Sequence, residues 1–209
     1  KEVRKIFRKF YQVGRFDDAI SELSVCVAQE PENFYLHSAL AYNAYNSLFA
    51  AKNREILLSG KQRAERIAQA HRHFKSAQTL RPDGVTNFYR EGMLFHRIEG
   101  KPEAALHLFS QAVKNWDALS EEEKERRHQE RKNFVKALYQ EAGTLLAAGR
   151  YDAAAASLKR CLAEDETAQH LSMLHKYFAL GKVEFFRNRF KEARDALLFA
   201  EKCRKSREP

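Results

Sequence analysis

The sequence predicts an all-α protein of stacked helix pairs, and three observations carry that reading. Ala, Leu, Glu, Lys, Arg and Gln dominate, while 8 Gly and 4 Pro punctuate 209 residues; these are the residues that lose least on entering a helix. One small–large–small pattern recurs five times along the chain. Turn signals precede four of those five segments. A hydrophobic content of 44% is enough to bury a continuous core, as one elongated unit or two small domains.

The repeated pattern is a small residue, a bulky apolar one four later, and a second small one three after that. It reads Ala19/Leu23/Cys26, Ala70/Phe74/Ala77, Ala105/Phe109/Ala112, Ala154/Leu158/Cys161 and Ala193/Leu197/Ala200. Small residues let two helices approach closely, and the large residue fills the gap to the neighbouring pair. Cys26 and Cys161 occupy small-residue positions and are therefore expected to be buried structural thiols. Two segments run on to Pro31 and Pro82 at one offset, where proline ends a helix. Gly14, Gly100 and Gly149 stand where a preceding helix must close in a left-handed conformation, followed by an acidic residue at the next helix start. Asn188 takes the glycine's place in the last segment.

With these residues in view the chain resembles the tetratricopeptide-repeat family, whose unit of about 34 residues carries W-x2-L-G-x2-Y, then A-x3-F, then P. The fifth unit matches best: Tyr177, Leu180-Gly181, then Ala193, Leu197 and Ala200, with Glu184 standing where an aromatic is usual. The resemblance implies an α-solenoid of about five helix-turn-helix units in a right-handed superhelix, with two helical insertions. The units fall near 1–32, 33–84, 85–116, 120–166 and 167–205, in a single solenoid over 1–209.

The insertions are read from spacing. Pro31 and Pro82 are 51 residues apart, more than one unit, which predicts a lengthened first helix over 34–58, a break at Ser59-Gly60, and a lengthened second helix over 61–80. Residues 117–132 are densely charged; Ser120 with Glu123 forms a capping box, and Glu122/Arg126 and Glu123/Arg127 are spaced to support a solvated helix. The fourth unit's first helix is thus expected to begin near Ser120. After Ala200 the residues Glu201 to Pro209 are too few for a closing polar helix. Leu197, Leu198 and Phe199 are then expected to be covered by a continuation of the chain or by another copy.

A formal charge of +9 favours acidic partners, but the excess is spread as +5 over residues 1–100 and +4 over the rest, with no basic arm. Cys26, Cys161 and Cys203 lack the paired spacings of a zinc site or disulfide framework, which fits a reducing, cytoplasmic setting. No apolar run approaches the ~20 residues of a membrane span, and the first residues lack the apolar stretch of a signal peptide; the absence of an initial Met leaves room for a processed address. His71/His73 and His170/His175 do not share helix faces, and Glu103/His107 is a commonplace pair. No phosphate loop, nucleophile elbow or HExxH appears. Neither enzyme nor cofactor nor metal is expected.

In the resembled family the first helices of successive units line a concave groove for extended or helical peptides. Matching unit by unit puts on that face Arg4, Lys5, Arg8 and Tyr11; Tyr35, Ser38, Tyr42, Tyr45 and Asn46; Asn87, Arg90 and Arg97; Lys136, Tyr139 and Gln140; and His175, Phe178, Lys182 and Phe185. A basic and aromatic face suits a carboxylate-bearing peptide, although a tyrosine also packs between helices wherever one end is apolar and one wet. Arg4, Arg8 and Ala39 depart from the Lys and Asn positions with which chaperone-binding members grip a terminal carboxylate. The expectation is a protein-interaction scaffold binding a peptide or helix segment. RNA binding and oligomerisation through the carboxy-terminal helix are the alternatives, and no membrane partner is expected.

Overall fold

A computed structural model of the chain describes residues 1–206, without the side chain of Val13. The last three residues of the expected tail, 207–209, lie outside the described residues. Every element found is helical. The chain divides into two units, Lys1–Lys101 and the part from Pro102 onward, so the division falls between the two helices of the expected third repeat.

The amino-terminal unit begins with α1 (Glu2–Lys9), a 3-10 turn (Tyr11–Val13) and α2 (Phe16–Gln29). Then come α3 (Phe34–Lys52), α4 (Gly60–Leu80) and α5 (Thr86–Leu94), the last running on into a π-helical segment, Phe95–Glu99. Helix α3 packs on α4 and on α2, and α4 on α5. One core holds Ile6, Phe10, Ile20, Leu23, Leu36, Leu40, Leu48, Phe74 and Leu94. The expected first helix over 34–58 stops at Lys52. Arg54 adopts φ 64°, its N–H reaches the Ala51 carbonyl, and the Glu55 N–H reaches that of Ala50. This double closure needs a left-handed residue but here no glycine supplies it, so the stop carried no glycine signal. Helix α4 starts at Gly60 with a full capping box between Ser59 and Gln62.

The second unit holds α6 (Pro102–Asp117), α7 (Glu121–Arg126), α8 (His128–Ala147), α9 (Tyr151–Glu164), α10 (Met173–Phe186) and α11 (Phe190–Lys205). Helix α8 packs on both α6 and α9, α10 on α9, and α11 on α10. The Ser120–Glu123 capping box forms. The helix it opens breaks after one and a half turns at Arg127 (φ −104°, ψ 23°). Arg127 is buried, and its guanidinium meets Glu130 at 3.1 Å; Arg126 pairs with Glu123 at 3.8 Å. No residue of α7 is buried.

The turn signals stand where the sequence puts them: Gly14, Gly100, Gly149 and Asn188 have φ of 74°, 68°, 73° and 59°. The small–large–small pattern is core in its first four occurrences, except that Cys26 is only half-buried where a buried thiol is expected. Cys161 is fully buried, and burial pushes its thiol up to about 12. In the fifth occurrence Leu197 is 36% exposed, and Leu198 and Phe199 more so. The Gly181 position is explained by contact: a β-carbon there would lie 2.6 Å from Leu197 Cγ.

Candidate peptide-binding face

In the amino-terminal unit, four of the expected face residues converge. The Tyr11 and Tyr42 hydroxyls are 3.1 Å apart, and Asn46 donates to the Tyr11 hydroxyl at 3.2 Å. The Arg90 guanidinium lies 3.7 Å from the centre of the Tyr42 ring, a cation–π contact of the kind that holds a cation without neutralising it. Three elements put them there: Tyr11 opens the 3-10 turn after α1, Tyr42 and Asn46 are four apart in the middle of α3, and Arg90 rises from the first turn and a half of α5. Phe7 stacks on Tyr11 at 4.4 Å and extends the aromatic surface.

The electrostatics of this cluster are those of a cation among neutral phenols. Burial, then the hydrogen bond to Tyr42, raises the Tyr11 hydroxyl above its ordinary range. Burial also raises Tyr45, and pushes Tyr89 up to about 12. All three therefore stay protonated near neutrality and can donate. Burial pulls the Arg90 guanidinium down somewhat, against the surrounding tyrosines, which raise it. No carboxylate pairs with Arg90 among the described residues.

The other expected residues of this unit lie outside this cluster. Tyr45 packs on the core, 4.5 Å from the Phe49 ring and 6.2 Å from Phe74. Asn87 is buried and donates to Ser38 at 2.9 Å, its Oδ1 left without a hydrogen-bond partner. Tyr35 is well exposed at the start of α3, ring to ring with Phe34 at 5.3 Å. Arg4, Lys5 and Arg8 are exposed on α1, with Lys5 tied to Glu2 at 2.9 Å. Arg97 sits in the middle of the π segment that follows α5 and lines a cavity.

In the second unit, Phe178, Lys182 and Phe185 form an exposed stripe on α10, with the Lys182 ammonium 6.0 Å from the Phe178 ring. His175 is exposed at the start of that helix, its Nδ1 2.5 Å from the Ser172 hydroxyl. Tyr139 packs against the core of this unit. Lys136 and Gln140 are partly buried on α8.

Sequence reasoning missed three charged clusters, and each has a physical signature. His71 on α4 has Nδ1 2.7 Å from Glu91 and Nε2 2.5 Å from Glu99. Both ring nitrogens face carboxylate oxygens, so the protonated imidazolium donates to each. Glu91 and Glu99 are eight residues apart, about 80° out of phase on a regular α-helix, and the π segment acts as one inserted residue that returns them to within about 20°. Burial opposes the charge on His71, yet the hydrogen bonds to Glu91 and Glu99 outweigh it and raise its pKa. Lys176 is completely buried against Asp165, whose carboxylate also accepts from the His170 and Leu171 N–H groups. Glu184, the departure from the aromatic pattern, is buried and meets Arg187 at 2.9 Å and Lys159 at 3.5 Å. A single carboxylate thus ties α10 to α9 where a ring would otherwise pack.

Among the described residues no cluster of three His, Cys, Asp or Glu side chains could hold a metal ion. No helix among them is long and apolar enough to cross a membrane.

Helix pairs with this spacing, these left-handed turns and this close glycine contact define a tetratricopeptide-type helical-repeat fold. Solved structures bear this out. MamA from Desulfovibrio magneticus RS-1 is 14% identical, with 99% of this chain and 96% of that one covered at a TM-score of 0.66. PilW, described as a widely conserved type IV pilus biogenesis factor, is 12% identical over 97% of this chain and 76% of its own (TM-score 0.63). A Podosopora anserina putative kinesin light chain with nearly identical TPR-like repeats is 16% identical over 99% and 96% (TM-score 0.61). No protein-family model matches the sequence, and no curated protein does.

Proposed function

We propose that the chain is a non-catalytic protein-interaction scaffold that takes a peptide or helical segment bearing acidic side chains on the first-helix face of its amino-terminal unit. The observation that carries this is Arg90: a guanidinium seated on the Tyr42 ring at 3.7 Å, among protonated tyrosine hydroxyls, with no carboxylate paired to it among the described residues. A ligand carboxylate placed there makes a charge-assisted hydrogen bond in a partly dry site, while Phe7 and Tyr11 cover a neighbouring apolar side chain. The fold shared with other helical-repeat proteins supports the same reading. Its test is selection from a random peptide library at low and at ~0.5 M salt, where screening weakens exposed charge pairs. Enrichment of Asp or Glu beside an apolar residue, lost at high salt, supports the assignment. Enrichment of basic peptides, or of none, removes it.

A second reading is favoured by one observation. Phe185, Phe186, Phe190, Leu198 and Phe199 are all exposed in the last helix pair, and self-association is one way to cover apolar side chains left exposed. Sedimentation of wild type against Leu198→Asp tests this; a monomer in both excludes it.

A further inference from the structure

The amino-terminal unit contains a cavity of about 300 Å³ away from the tyrosine cluster. Its walls are the end of α3 (Leu48, Ala51, Lys52), the connector that the lengthened second repeat introduces (Ile56, Leu57, Leu58), the start of α4 (Arg63), and the π segment (Arg97, Ile98). The floor is apolar: Leu48 and Ile98 are buried, and Ile56 and Leu58 half-buried, while Leu57 stands 96% exposed at the lip.

The polar groups of this cavity have one sign. Among the described residues, Lys52, Arg63 and Arg97 are its ionisable lining residues. Lys52 donates to the Arg97 carbonyl at 2.5 Å, and Arg63 to the Ile98 carbonyl at 3.1 Å. These two cations are therefore held in place by the carbonyls of the π segment and neutralised by no carboxylate among the described residues. The acid of the connector, Glu55, turns to the Asn53 amide at 3.2 Å and takes no part in the lining. The Arg97 side chain is exposed and makes no ion pair among the described residues. Burial first, and then the nearby charges of Arg97 and Lys52, lower His96. The π turn that aligns Glu99 with His71 also fixes where Arg97 and Ile98 fall on this wall, and such single π turns recur at functional sites.

We propose that this cavity is a binding site for a small amphiphilic anion, an aliphatic chain carrying one carboxylate head. At ~30 Å³ for each water-sized group, the space takes about ten heavy atoms, and pockets of this size with an apolar lining and a few fixed polar groups are typical of small-molecule sites. The tail lies on Leu48, Ile56, Leu58 and Ile98, and the head is placed between Arg97 and the two anchored cations. The site is independent of the peptide face, so either can fail without the other.

Octanoate is the probe, followed by methyl-resolved NMR of the leucines and isoleucines below its aggregation concentration, with octan-1-ol and octylammonium as controls. Saturable shifts are expected at Leu48, Ile56, Leu58 and Ile98, with octan-1-ol about tenfold weaker and octylammonium weaker still, as charge-assisted recognition requires. Arg97→Gln, which breaks no hydrogen bond of the fold, should weaken octanoate about fivefold with Tm unchanged. Ala51→Phe, which fills the cavity, should abolish the shifts. Equal affinity for octanoate and octan-1-ol, an unchanged affinity in Arg97→Gln, shifts centred on the exposed aromatics of α10 and α11, or no saturable binding would each overturn the assignment.

Discussion

Replacing His71 removes the imidazole that joins Glu91 to Glu99, and the structure sets the size of the loss and the direction of its pH dependence. The three side chains are 22%, 10% and 13% exposed, so solvent screens them little. Glu91 keeps the Gln78 amide at 2.6 Å, and Glu99 keeps Lys101 at 2.7 Å, so neither carboxylate is stranded. Hydrogen bonds to charged groups are worth roughly 1.5–3 kcal/mol each before such compensation, which puts His71→Ala at about 2–4 kcal/mol and His71→Gln, with one donor left, at about half of that. Because the folded-state pKa of His71 is raised, its contribution is fully present below the unfolded value and is lost as pH rises through the folded value. Hydrogen exchange of residues 60–99, measured in wild type and His71→Ala at pH 6 and pH 9, reads this directly. The deficit should be large at pH 6 and should shrink by pH 9. An equal deficit at both pH values, or one under about 0.5 kcal/mol at pH 6, would refute the doubly bridged imidazolium.

Three further outcomes follow from single contacts. Lys176→Met strands Asp165 in a buried site and should cost about 3–5 kcal/mol, with Asp165→Asn restoring part of it in the double variant; urea unfolding followed by Trp116 fluorescence measures both. Gly181→Ala should destabilise by about 1–3 kcal/mol through the clash with Leu197 even though alanine is the better helix former. Leu197→Ala should relieve it, and a stabilised single variant would show that the helices separate freely. In the native protein, iodoacetamide should label the half-buried Cys26 and Cys203 and spare Cys161, whose thiol is buried and raised to about 12; intact-mass analysis counts the adducts.

The repeat architecture was legible because its determinants are local. A glycine at the helix end, an alanine at the close crossing and a serine three residues before an acid each act over one turn of chain, and Gly14, Ala105 and Ser120 behave as their sequence context dictates. What sequence could not place are features that depend on helix phase or on a residue acting out of type. Arg54 closes α3 in a conformation usually left to glycine, so the helix looked longer than it is. The π segment shifts the phase of α5 by one residue, which hid the Glu91–His71–Glu99 bridge and sets Arg97 on the wall of the cavity. Tyrosines divided as amphipathic rings do: Tyr11 and Tyr42 keep their hydroxyls on the face, while Tyr45 and Tyr139 turn into the cores. Glu184 broke the aromatic pattern for a reason visible only in three dimensions, since Lys159 reaches it from α9.

The measurement that bears most directly on the proposed function is calorimetric titration of one library-selected acidic peptide into wild type, Arg90→Gln and Arg90→Lys, with thermal unfolding of each. Losing a bidentate donor in a partly dry site should weaken the peptide about tenfold or more in Arg90→Gln, with Arg90→Lys intermediate and Tm little changed. Binding that is indifferent to both substitutions would contradict the assignment of the Arg90–tyrosine cluster as the peptide's anchor.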